Sequence, residues 1–339
     1  MFNRWQAAEL QRVPRLSATF ITGCAVVMGG CVATHPASPT PSRAQAQVDH
    51  VNGPFVRVGA PIPIAADYPI RLSGNGQAMI VVEPDRTHPD VRVARVWDLV
   101  AVKPLSGPLP MGWLDYGLSF DGKIAFTTDH KHVWVWDVTT SRLRWTLELN
   151  QTNLGGVAIS PDGTEIVAIS EADKSVKVWR IGSAEPRLSI NQDALHPDFD
   201  PTGKRIMTFD GFLHIDDARS GHELFAGISD TFGGRHRFDS TGRRYLILDE
   251  PGGAHVIDTA TGKTLLTINS SYSIKGARWS VDSDKIVLVA DHAAQIYDAA
   301  TGKLERTIVG DDMFDFWVLP GGRWAICQWF KKPLEIWDL

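Results

Sequence analysis

The sequence predicts an all-β chain, and three observations predict it. A strand ending in an aromatic–Asp pair, or in a close variant of it, recurs seven times, at steps of 37 to 43 residues. A turn of the Ser-Pro-Asp-Gly kind keeps the same beat upstream of each recurrence, and no stretch sustains the periodicity of an amphipathic helix. Four short strands per repeat, seven times over, is the arithmetic of a seven-bladed β-propeller.

The strands that carry the beat are ARVWDL at Asp98, VWVWDVTTS at Asp137, VKVWRIGS at Arg180 and LHIDDARSG at Asp217, then HVIDTATG at Asp258, QIYDAATG at Asp298 and LEIWDL at Asp338. The fourth is the loosest, because Asp216 and Asp217 compete for one position. The upstream turns include Ser119-Phe120-Asp121-Gly122, Ser160-Pro161-Asp162-Gly163 and Asp200-Pro201-Thr202-Gly203. Asx and Pro preset the first turn positions and Gly takes the positive φ. Apolar runs such as Val157-Ala158-Ile159 and Ile166-Val167-Ala168-Ile169 flank each turn, so every unit is a hairpin plus further strand. The seventh unit lacks an outer strand before Leu339, and Phe55-Val56-Arg57-Val58-Gly59 is an unassigned β-like segment. A ring must pair its edges or expose them. The N-terminal strand is therefore expected to close the last blade, giving a propeller over residues 53–339.

These residues resemble the WD-repeat family from about residue 54 to 339. The S-P-D-G turn, a turn Asp seven residues before the terminal pair (Asp173, Asp210, Asp291) and the terminal WD itself match. The fifth and sixth units, VIDTATGKTLLTI and IYDAATGK, equally resemble bacterial YVTN-type repeats. The Gly-His dipeptide that WD repeats usually carry before the inner strand is lacking, so the resemblance does not imply that family's His-Ser-Asp-Trp hydrogen-bond set. It does imply the fold and a ligand face formed by the loops that lead into the inner strands.

Residues 1–30 read as an address. Arg4, Arg12 and Arg15 precede an uncharged run, Leu16 to Gly30, and Met28-Gly29-Gly30-Cys31 resembles a bacterial lipobox. Cys31 is the expected lipidation site; Cys24, or cleavage after Ala46, are the alternatives. Residues 31–52 then form a lipidated Cys and a Pro/Ala/Ser/Gln-rich tether. The whole chain carries a net charge of −5, and loss of three Arg and one Glu with the leader takes it to −7. Such a body is expected to bind neither nucleic acid nor anionic lipid, leaving the lipid on Cys31 as its membrane contact. Val32 after Cys31 favours the outer membrane, facing the periplasm. Only Cys327 remains in the domain, in an apolar stretch where a buried small hydrophobe is expected, so neither an intrachain disulfide nor a Cys-based metal site is available.

Chemistry is not evident. His130, His132, His214, His255 and His292 recur near the same turn of successive units, which makes them turn residues spread around a ring rather than a cluster. Gly117-x4-Gly122-Lys123 mimics a phosphate loop, but a strand follows where a helix is needed. No catalytic residue, cofactor or metal site is assigned. Trp97, Trp136, Trp179, Tyr297 and Trp337 are expected to pack between blades.

The loops into the inner strands break the repeat and carry aromatic residues beside acids and amides: Trp113, Asp115, Tyr116, Asn150, Asp193, Phe232, Tyr272, Asp311, Asp312 and Phe314. That combination suits protein recognition, although the aromatics equally suit plugging the channel mouth. Arg235 and Arg237, flanking His236, form a candidate anion patch. The expected function is a non-catalytic envelope lipoprotein whose propeller is a scaffold for another protein. A propeller hydrolase of the lactonase type, using a channel site, is the alternative; it needs convergent acids or His, for which Asp198, His236 and Asp315 are the inner-strand candidates.

Overall fold

The Ser-x-Asp-Gly turns and the terminal Asp residues build the same two hairpins in unit after unit. In the third, the Ser160 amide donates to the Glu165 carbonyl, Gly163 closes the turn onto Ser160, and Ser160 Oγ donates to Asp162 Oδ1 at 2.6 Å. Gly163 sits at φ 68°, where a Cβ would strain the backbone. Further along, Asp137, Asp217, Asp258 and Asp298 each accept hydrogen bonds from the backbone and hydroxyl of a Thr or Ser three residues on. Those bonds hold all four carboxyls below the usual Asp range. The terminal Asp is thus the cap of the turn between the third and fourth strands.

The computed structural model describes residues 56–57, 62–65, 68–88, 90–112, 115–129, 131–149, 154–170, 173–229, 238–249, 253–290, 292–310, 312–330 and 332–339. The expected leader, Cys31 and the expected tether lie outside the described residues, as do Trp113, His130, Asn150, Phe232, Arg235, His236, Arg237, Asp291 and Asp311. Among the described residues no helix is long and apolar enough to cross a membrane.

Seven small antiparallel sheets form a seven-bladed β-propeller. The second blade is the simplest, with Tyr116–Leu118 innermost, then Ile124–Thr128, His132–Asp137 and Arg142–Glu148. The first blade divides its outer strand into two short pieces, Lys103–Pro104 and Leu109–Pro110, both on Arg92–Asp98. In the fifth, three strands and the Phe238–Tyr245 bridge are described. The seventh closes as expected. Val56 lies opposite Asp338 and Arg57 opposite Trp337, so the N-terminal strand is the outer strand of the last blade. A second segment, Ile62–Ala65, which the sequence did not announce, pairs with the other end of Pro333–Asp338.

The core lies between the blades. Side chains alternate along each strand, so Ile166 and Ala168 pack towards the second blade while Val167 and Ile169 pack towards the fourth. Seven buried clusters occupy the seven seams, and the last joins Leu319, Ile326 and Leu334 of the seventh blade, with Ile62 and Ile64, to Met79, Val81 and Trp97 of the first. Trp136 packs in the seam between first and second blades, and its Nε1 donates to Thr127 Oγ1 at 2.9 Å. Trp97, Trp179 and Tyr297 occupy equivalent seams, while Trp337 is partly buried at the sixth. Cys327 is buried in that sixth seam, and burial pushes its thiol pKa up.

Candidate functional site

The two ends of the ring are built differently. At the hairpin end lie the Ser-x-Asp-Gly turns and the turns capped by the terminal Asp. At the crossing end lie the loops into each inner strand, together with the turns between second and third strands. Backbone bonds tie these last two sets together: Gly112 donates to Thr128, Gly310 to His292 and Phe330 to Asp312.

At the crossing end, the predicted residues fall into two groups. Asp193 is exposed and pairs with Lys174, 2.5 Å away on the neighbouring turn. Asp312 and Phe314 are exposed on the seventh blade. Tyr272 is half-buried against the seam between fifth and sixth blades, its amide donating to Ser270 Oγ at 3.0 Å. Asp115 and Tyr116, by contrast, are buried in the wall. Asp115 Oδ2 accepts the Val157 amide of the third blade at 3.0 Å, and its own amide donates to Thr128 Oγ1 at 2.8 Å. The Tyr116 hydroxyl donates to the Pro69 carbonyl of the first blade, and burial pushes its pKa up to about 12. These two side chains fasten three blades together and offer little surface to a partner. Exposed Phe212, Phe330, Leu195 and Val309 also lie at this end; the repeat framework concealed them because they sit in or beside the strands.

Along the axis, Asp315 is engaged on every side. Arg278 Nη2 lies 2.5 Å from its Oδ1, the Phe316 amide donates to the same oxygen, and Trp317 Nε1 donates to Oδ2 at 3.1 Å. The Arg278 guanidinium stacks 3.9 Å over the Trp317 ring. Asp198 is buried beside an axial cavity of about 170 Å³ at the hairpin end, whose walls are mainly Leu72, Leu118, Phe199, Phe238, Trp279 and Trp317. Among the described residues, no three His, Cys, Asp or Glu side chains gather closely enough to hold a metal ion. The histidines are dispersed as their spacing implied. His132 lies 3.1 Å from Asp129, His214 lies 3.1 Å from both Asp210 and Glu223, and His255 Nδ1 meets Thr267 Oγ1.

One blade departs from the rest. Asp216 stands opposite Ile206, where Trp136 stands opposite Ala125 in the second blade. It is buried without a hydrogen bond to Oδ2, and Thr208 Oγ1, the counterpart of the hydroxyl that Trp136 uses, has none either. Burial raises the Asp216 pKa to about 6. No family model matches the chain, and no curated protein matches it.

Proposed function

We propose that the chain is a non-catalytic, WD-repeat-like envelope lipoprotein, anchored through Cys31, whose propeller docks another protein at its crossing end. The observation that carries this is the exposed aromatic side chains at that end, Phe212 on the fourth blade and Phe314 and Phe330 on the seventh, together with the surface ion pair of Lys174 and Asp193 between the third and fourth blades. Apolar anchors among orienting charges are the composition of a protein-recognition surface. A lactonase-type hydrolase needs acids free to bind a metal or take a proton. Asp315 is instead held by Arg278 and Trp317, and Asp115 by backbone amides.

Crosslinking and affinity capture of the lipidated protein from its native envelope, with metal analysis of the same sample, tests the proposal. A single stoichiometric protein is expected, lost when Phe212 and Phe314 both become Ala with the melting temperature kept. A bound divalent ion, lactone hydrolysis and no captured protein would overturn it in favour of the hydrolase.

A further inference from the structure

Two Arg residues hold the same place in the repeat and are treated differently. Arg278 stands two residues before the hairpin turn at Ser280, and Arg71 two before the matching turn at Ser73. On the inner strand of the following blade, Asp315 and Trp317 fill the positions that Asp115 and Gly117 fill after Arg71. Arg278 pairs with Asp315 at 2.5 Å and stacks over Trp317 at 3.9 Å. Arg71 does neither. The Asp115 carboxylate accepts the amides of Val157 and Tyr116 instead. Gly117 offers no ring to stack on, and a Cβ there would lie 2.7 Å from the Phe126 ring.

What Arg71 does touch is weak. Its Nη1 donates to the Ile70 carbonyl at 3.4 Å, and its guanidinium lies 5.9 Å from the centre of the Tyr116 ring. Among the described residues, no carboxylate comes within ion-pair distance of it. A half-buried guanidinium without its carboxylate is costly to keep, and its planar fork is the group that binds a carboxylate bidentately.

The space for such a ligand lies on the same side chain. Arg71 lines a cavity of about 190 Å³ between the first and second blades at the crossing end, with Pro69, Val82 and Met111 among its apolar walls. Arg71, Arg92 and Asp115 set two guanidiniums against one carboxylate in its lining, an excess that suits one negative charge. Inward, Arg71 and Asp198 line a chamber of about 30 Å³, which has room for water and not for a ligand body. Asp198 behind and Asp115 beside the guanidinium disfavour a dianion such as a phosphate monoester.

We infer that Arg71 anchors a small-molecule site at the crossing end, taking the carboxylate of a monoanionic ligand whose apolar body lies against Pro69, Val82 and Met111. The site goes beyond protein docking and stands whether or not the propeller docks a partner there.

The test titrates the full chain with hexanoate, phenylacetate and benzoate, read by calorimetry and by the rise in melting temperature. At least one acid is expected to bind, with its neutral amide and phenyl phosphate each roughly tenfold weaker or worse, as the loss of a charge-assisted pair requires. Arg71→Met should abolish that binding and leave the melting temperature of the ligand-free protein unchanged or raised, because no ion pair is lost. Arg278→Met, which strands Asp315, should lower it. No binding by any of the acids, equal binding by acid and amide, or unchanged binding by Arg71→Met overturns the inference. Tighter binding of phenyl phosphate overturns the ligand class. Binding of the dipeptide Gly-Phe with none of the free acids gives the site to a partner's chain end and overturns the small-molecule reading. An Arg71→Met protein that melts as early as Arg278→Met makes Arg71 structural and overturns it as well. The comparison of acid with amide needs no variant, so the inference stays falsifiable should Arg71→Met fail to fold.

Discussion

Ile62 lies opposite Leu334, so residues from near the start of the described chain form the outer edge of the blade built from its end. Both side chains are buried in the seam that joins the seventh blade to the first. Ile62→Ala should destabilise the protein by about 3 kcal/mol through lost burial and the cavity left behind. Urea unfolding measures it, and an unchanged midpoint would mean that the closing strand is ornamental.

The buried Asp216 should make the propeller less stable as the pH rises. Its folded-state pKa of about 6 exceeds the ordinary 3.8, so the folded protein holds this proton more tightly. The favourable contribution is complete below the unfolded value and is lost as pH climbs through 6, a change of about 3 kcal/mol. Burial opposes protonation of His214, but hydrogen bonds that its ring donates to Glu223 and Asp210 outweigh it and raise its pKa, so its contribution is lost in the same direction. The melting temperature should fall between pH 5 and 7.5, and Asp216→Asn should flatten most of that slope. A rising melting temperature across this window would refute the assignment.

Val102→Gly should relieve the first blade's strained turn and stabilise the fold by about 1 kcal/mol, since Gly221, Gly262 and Gly302 hold the matching conformation elsewhere. Chemical denaturation reads the gain.

Asp115→Ala should cost about 2 kcal/mol, because the Val157 amide of the neighbouring blade loses its buried acceptor. Partner capture by the protein that remains folded should be unchanged, which separates a wall residue from a contact residue. Loss of capture at full stability would return Asp115 to the docking surface.

The seven-fold beat was legible because its tokens are local. A terminal Asp capping its own turn, and a Ser-x-Asp-Gly hairpin, each need only a few consecutive residues, so they survive in nearly every unit. The fourth unit read poorly for a physical reason, namely that Asp216 replaces the packing aromatic. The segment Ile62–Ala65 was hidden by its prolines, which an outer strand tolerates because one side of its backbone needs no partner. Prolines likewise masked the divided outer strand of the first blade, Lys103–Pro104 and Leu109–Pro110. At the candidate site, Asp193, Asp312 and Phe314 emerged at the surface as their loops implied. The burial of Asp115 and Tyr116 was illegible, because it depends on amides and carbonyls of other blades. So was the pairing of Arg278 with Asp315, which only the curvature of the ring brings together.

Gln328 donates to the carbonyl of Tyr68, 260 residues away in the chain, and accepts the amide of Ile70. Synthesis therefore sets a timetable. Each new blade can cover the bare flank of its predecessor as it is made, but the outer flank of the first blade waits for the seventh. Throughout that interval an apolar face and an unpaired strand stay open to other chains. Sealing demands the longest-range encounter in the ring, so it is the step most exposed to delay. The chain's period of vulnerability is thus written into its topology, and it ends only when the earliest strand finds the latest.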